Sequence, residues 1–140
     1  MNIILALIIL FSYLQQPSNI LKQKKLKLNT GSELLYTVMS PSRIPGNTTV
    51  PLVIALHWGW DRNEPLPRWF GKDFLTSIIQ PAFEEINPVI VAPDCPSENW
   101  YNPVSENAVL SLMNHIMNEY PIDSSRIFIT GFRTGKTCLF

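Results

Sequence analysis

The sequence predicts a three-layer α/β domain, a mostly parallel sheet with helices on both faces and an antiparallel edge on its N-terminal side. Three observations carry that expectation. Pro51 to His57 and Pro88 to Pro93 are nearly continuous in apolar residues, as strands covered on both faces must be. A helical pattern runs from Ser105 to Glu119, with Val109, Leu112, Met113, Ile116, Met117 and Tyr120 recurring at the spacings of one helix face. A third buried strand, Arg126 to Thr130, follows it, and strands that alternate with helices imply parallel crossovers.

The chain opens on an apolar run, Met1 to Leu14, which suits the core of a signal peptide and falls short of the roughly 20 residues that span a bilayer. Residues 1–20 are assigned to this leader and residues 21–140 to the domain. Export is expected, into a periplasm or out of the cell; an N-terminal membrane anchor and a buried helix are the alternatives. No integral membrane span is expected. Lys22, Lys24, Lys25 and Lys27 read as a solvated edge at the entry to the domain, or else as a patch for a membrane surface.

Lys24 to Leu28 and Leu34 to Met39 are short strand-like runs, joined by the turn-rich Asn29-Thr30-Gly31-Ser32 into a hairpin. Ser40 to Asn47 is loop, and Asn47-Thr48-Thr49 within its end is a glycosylation sequon. A mixed helical segment spans Lys72 to Ile86, with an interruption expected at Pro81. Ser105 is the expected cap of the long helix, and Pro121 ends it.

Hydrophobic residues make up 46% of the chain and charged residues 16%, the composition of one globular domain. Eleven basic and eleven acidic residues give a net charge of zero, which supplies no attraction for nucleic acid and favours small uncharged ligands. Cys95 and Cys138 form no disulfide framework and have no metal-ligand spacing, so neither a metal nor a cofactor is expected.

In sheets of this class ligands bind at the carboxyl ends of the strands, here the loops after His57, Pro93 and Thr130. All four tryptophans, Trp58, Trp60, Trp69 and Trp100, lie in or beside the first two of these loops. They either cover the sheet ends or give a cleft an apolar lining, with Trp58 and Trp100 the lining candidates. Asp94 is either a turn residue at a strand exit or a side chain that points into the cleft. His115 falls off the apolar helix face, near Ser111 and Glu119, and reads as a surface residue.

Three segments now stand in a recognisable order. Ala55-Leu56-His57-Trp58-Gly59-Trp60 resembles the His-Gly loop of α/β-hydrolases. Val89-Ile90-Val91-Ala92-Pro93-Asp94 resembles their next strand with its Pro-Asp exit. The run from Asp123 through Arg126-Ile127-Phe128-Ile129-Thr130 to Gly131-Phe132 resembles the approach to their nucleophile elbow. The likeness covers about residues 24 to 135 and is nearest the feruloyl esterase, polyhydroxyalkanoate depolymerase and phospholipase/carboxylesterase group. It implies the N-terminal half of such a domain, a truncated α/β-hydrolase fold.

The resemblance implies acyl transfer, in which a serine on a strained strand-to-helix turn is deprotonated by a histidine that an acid orients. In Gly131-Phe132-Arg133-Thr134-Gly135 the nucleophile register holds Arg133, whose guanidinium stays protonated and offers donors only. Thr134 stands one place off register, where its backbone N–H would face the oxyanion. Gly59 or Trp60 would give the second oxyanion donor, although Trp58 occupies a place that usually holds glycine. His57 reads as an organiser of its loop. The acid and base follow the nucleophile in this family, and only Lys136 to Phe140 remain after the elbow.

The same end also imitates a phosphate-binding loop through Gly135-Lys136-Thr137, but the count fails by one, because Thr130 stands where the first glycine is required. The expectation is thus a serine-esterase relative, truncated and inactive, with a tail that suggests a disturbed reading frame. The alternative is a non-catalytic module. It would bind a small ester-like ligand through its tryptophan loops, or self-associate through the open sheet edge that the third strand leaves.

Overall fold

The computed structural model describes residues 18–59 and 64–131. Five strands form one mixed sheet: β1 (Asn19–Lys27), β2 (Glu33–Pro41), β3 (Val50–Leu56), β4 (Val89–Pro93) and β5 (Ile122–Gly131), in spatial order β1-β2-β4-β3-β5. β3, β4 and β5 run parallel, while β1 and β2 form an antiparallel edge that joins β4 through β2. Helices cover both faces, which gives the three layers that the sequence predicts.

β1 and β2 form the expected hairpin, closed by hydrogen bonds between Leu28 and Ser32 and between Gly31 and Leu28. β1 begins five residues before the expected Lys24, inside the span assigned to the leader. The reason is the ladder, since Asn19 to Lys27 pair without a break against Pro41 to Glu33. All four of its lysines lie on this edge strand, where Lys24 pairs with Glu119 at 2.8 Å and Lys25 with Glu33 at 3.0 Å.

β3 and β4 are buried along nearly their whole length, as their continuous apolar runs require. Strand alternation sorts their side chains between two cores. Tyr36, Val38, Leu52, Ile54, Leu56, Val89 and Val91 pack on one face, and Met39, Val53, Ala55, Ile90 and Ala92 on the other.

The second face is covered by a helical stretch over residues 70–86. It consists of α1 (Phe70–Phe74), a π-helical turn (Leu75–Ile79), α2 (Gln80–Phe83) and a 3₁₀ turn (Glu84–Ile86). Pro81 does not interrupt it, contrary to expectation. The proline falls in the first turn of α2, where its missing N–H costs little, and the ladder widens just before it in the π turn. Phe74, Leu75 and Ile79 are the buried anchors.

The first face is covered by α3 (Pro103–Glu119), which sets Ala108, Leu112 and Ile116 into the core at four-residue intervals. Burying each of the two larger side chains is worth about 1.5–3 kcal/mol. The cap is Asn102 and not Ser105: the Asn102 carboxamide oxygen accepts from the backbone N–H groups of Val104 and Ser105, both at 3.0 Å, and Pro103 takes the first helical position. The hydroxyl of Ser105 is buried instead and donates to the Asn99 carbonyl at 2.6 Å. His115 is half-buried, edge-on to Tyr36 and 3.1 Å from its hydroxyl.

β5 departs most from the sequence reading. It starts at Ile122, and six of its residues, Ile122 to Ile127, lie against only three of β3, Val50 to Leu52. The extra length folds into a bulge in which Asp123 accepts from Ser125 and Arg126. Beyond the bulge the strand is not buried. Phe128 is 43% and Ile129 52% exposed, because β3 is the sole strand paired with β5 and no described helix covers its outer side.

Candidate functional site

The carboxyl ends of the three parallel strands lie side by side, so the loops after Leu56 and Pro93 and the end of β5 at Gly131 converge. Gly131 pairs with Leu56, and a Cβ on it would stand 3.3 Å from the Leu56 carbonyl oxygen. A side chain there would crowd β3. The elbow residues Arg133 and Thr134, like Trp60, lie outside the described residues.

His57 is the hub of the site, 2% exposed at the end of β3. Its Nδ1–H donates to the Trp58 carbonyl at 2.7 Å, and its Nε2 accepts from the Cys95 backbone N–H at 3.0 Å. Both ring nitrogens are therefore occupied, which fixes the neutral ring with its proton on Nδ1. Burial holds its pKa below the ordinary value of 6.5, against the opposing pull of the Trp58 carbonyl and Asp94. Phe70 and Trp100 pack edge-on against the ring, with centroids 4.7 Å and 5.1 Å away.

Asp94 follows β4 and is 8% exposed. Its Oδ2 accepts from the Trp69 N–H at 2.6 Å and its Oδ1 from the Gly71 N–H at 2.9 Å. The carboxylate thus takes up backbone donors at the start of α1 and holds that helix on the end of the sheet. The chain turns there through Trp69, at φ 65°. Gly71 comes so close to β4 that an added Cβ would lie 2.6 Å from the Ala92 carbonyl oxygen and 2.8 Å from that of Pro93.

The tryptophans divide. Trp100 is 5% exposed, belongs to the core cluster under α3 and donates its indole N–H to the His57 carbonyl at 2.9 Å. Trp58 is half-buried and rests edge-on against Phe70 and Phe74. Gly59, which follows it, is exposed.

His57, Trp58, Asp94 and Trp100 are therefore brought together in one interlock. Sequence reasoning missed Phe70, Gly71 and Cys95, which complete it. The one local signal was Gly71 in a first helical turn, where glycine has no propensity advantage. Cys95 itself is half-buried, with its Sγ 3.7 Å from Ser105 Oγ, and burial pushes its thiol pKa up. Among the described residues no group of three or more His, Cys, Asp or Glu side chains could hold a metal ion, and no helix is long and apolar enough to cross a membrane.

No protein-family model and no curated protein matches the chain. Solved structures do. A thermostable esterase superposes with a TM-score of 0.62 at 25% identity, over 82% of this chain and 35% of its own. A ferulic acid esterase gives 0.58 at 21% identity, over 84% and 49%, and a bacterial heroin esterase 0.54 at 17%, over 90% and 40%. The chain carries an α/β-hydrolase fold. It spans between about a third and a half of the length of these hydrolases. The hydrolase likeness expected from the three sequence segments extends through the strand order and the two helical layers.

Proposed function

We propose that the chain is the N-terminal part of a carboxylic-ester hydrolase domain, and that the 140-residue chain by itself does not hydrolyse esters. The observation that carries this reading is where β5 delivers its end. Gly131 arrives beside Leu56 at the carboxyl edge of the sheet and leads into Gly131-Phe132-Arg133-Thr134-Gly135, with arginine in the nucleophile register.

The chain's two histidines support the second half of the proposal. A general base needs a ring nitrogen free to take a proton from the nucleophile. His57 has both nitrogens engaged in its own loops, and His115 lies on α3 against Tyr36. Restoring a serine would leave it without a base. The test is hydrolysis of p-nitrophenyl acetate and butyrate by the purified chain and by Arg133→Ser. Both are expected at background, and turnover with a burst of p-nitrophenol from either would overturn the reading.

The apolar run from Met1 to Leu14 supports export of the chain. A second reading, a non-catalytic module that pairs with another copy of itself, is favoured by one observation. β5 exposes apolar side chains at Phe128 and Ile129 and carries no lysine, whereas β1 carries four.

A further inference from the structure

We propose that Asn47 is the attachment site of an N-linked glycan, carried at the end of the domain away from the strand ends where His57 and Gly59 lie. Asn47-Thr48-Thr49 is the single Asn-x-Ser/Thr triplet among the chain's asparagines, and the middle residue is not proline. The fold gives that triplet a suitable place. It occupies the connection between β2 and β3, in a tight turn closed by the Thr48 N–H on the Pro45 carbonyl at 3.0 Å, a contact that the Thr48 hydroxyl repeats at 2.9 Å.

Asn47, Thr48 and Thr49 are all exposed, and the Asn47 side chain makes no hydrogen bond among the described residues. A Cβ built on the preceding Gly46 meets nothing within 4 Å, so there is open space beside the acceptor. The acceptor amide is accessible, and the loop can open into the transferase without disturbing the core. β3 starts at Val50 and runs seven residues to Leu56, so a glycan on Asn47 stands about 20 Å from the site loops at a strand rise of about 3.3 Å per residue. It would leave those loops uncovered.

The reaction joins Asn47 Nδ2 to the anomeric carbon of an oligosaccharide held on a polyprenyl pyrophosphate. The new C–N bond replaces the sugar C–O bond to phosphate. The pyrophosphate lipid leaves with that electron pair, and one amide proton passes to a base of the transferase. The hydroxyl of Thr49, two residues on, is the group that the transferase reads.

This inference rests on the export proposed above, and the experiment reads the two parts separately. The full chain is translated without cells in the presence of endoplasmic-reticulum microsomes. The expected result is a protease-protected chain heavier by one glycan, returned to its unmodified mass by peptide-N-glycosidase. Thr49→Ser keeps the added mass, while Asn47→Gln and Thr49→Ala lose it. These readouts do not depend on whether a variant folds. A protected chain without added mass, or added mass that persists in Asn47→Gln, overturns the site. A chain left open to protease overturns the entry on which it depends. The esterase reading stands or falls on its own assay.

Discussion

The backbone N–H of Cys95 donates to Nε2 of His57 at 3.0 Å, and this one bond ties the loop after β4 to the loop after β3. A proton added at Nε2 would set one donor against another. Because burial keeps the folded-state pKa of His57 below the ordinary 6.5, the unfolded chain takes up the proton first. The contribution is fully present above about pH 6.5 and is lost as pH falls below it. The loss approaches about 1.4 kcal/mol per pH unit for a one-proton difference. Urea midpoints at pH 7.5, 6.0 and 5.0 should fall for the wild-type chain and fall less for His57→Gln. Parallel slopes would sink the argument. Asp123, held near 2 by hydrogen bonds from Ser125 and Arg126, titrates well below this window.

Gly71→Ala places a methyl group against two backbone carbonyls of β4, neither of which can move without shifting the strand. We expect a loss of about 1–3 kcal/mol, the range for overpacking a well-filled site. Gly46→Ala, on an open loop, is the control and should change stability by less than about 0.5 kcal/mol. Equal urea midpoints for the two variants would contradict the close approach.

Asn102→Ala removes the acceptor for two backbone donors at the start of α3 and also the amide that donates to Ser97 Oγ and the Asn99 carbonyl. A cost of about 1–2 kcal/mol is expected from the cap. Ser105→Ala leaves the cap in place and removes a buried hydroxyl. The decisive measurement is amide hydrogen exchange in the first turn of α3, which should speed up in Asn102→Ala and stay near wild type in Ser105→Ala.

Ile129→Lys puts a charge on the exposed outer strand without touching β3's own core side chains. If the chain associates through β5, sedimentation velocity should show association weakened at least about tenfold in favour of monomer, a change of about 1.4 kcal/mol. Lys22→Ile on β1 serves as the opposite test of which edge is used. An unchanged association constant in Ile129→Lys would remove β5 from consideration.

Much of the fold was legible because burial on both faces leaves a mark in every residue of a strand. Val53 to Leu56 and Val89 to Ala92 could hardly be anything else. β1 was harder, since Ile20 and Leu21 continue the apolar leader in composition and only the partner strand shows that they belong to a ladder. For α3, Asn102 followed by Pro103 was a stronger start signal than Ser105 and was within reach of the sequence. The exposure of Phe128 and Ile129 was not, because the same apolar pattern describes a covered strand and an uncovered one. The site was half legible. The position of Asp94 at a strand exit could be read, but its partners Trp69 and Gly71 lie more than twenty residues away, and their contact depends on how α1 crosses the sheet.

The two borders of the sheet set how far any assembly of this chain could grow. Were two copies to join along β5, each would spend its one adhesive border, and the ten-stranded result would present only β1 at either end. Those ends carry Lys22, Lys24, Lys25 and Lys27, so a third copy meets like charge in place of a bare ladder. Joining by strand addition along β5 would therefore close at a pair and would not run on into a fibre.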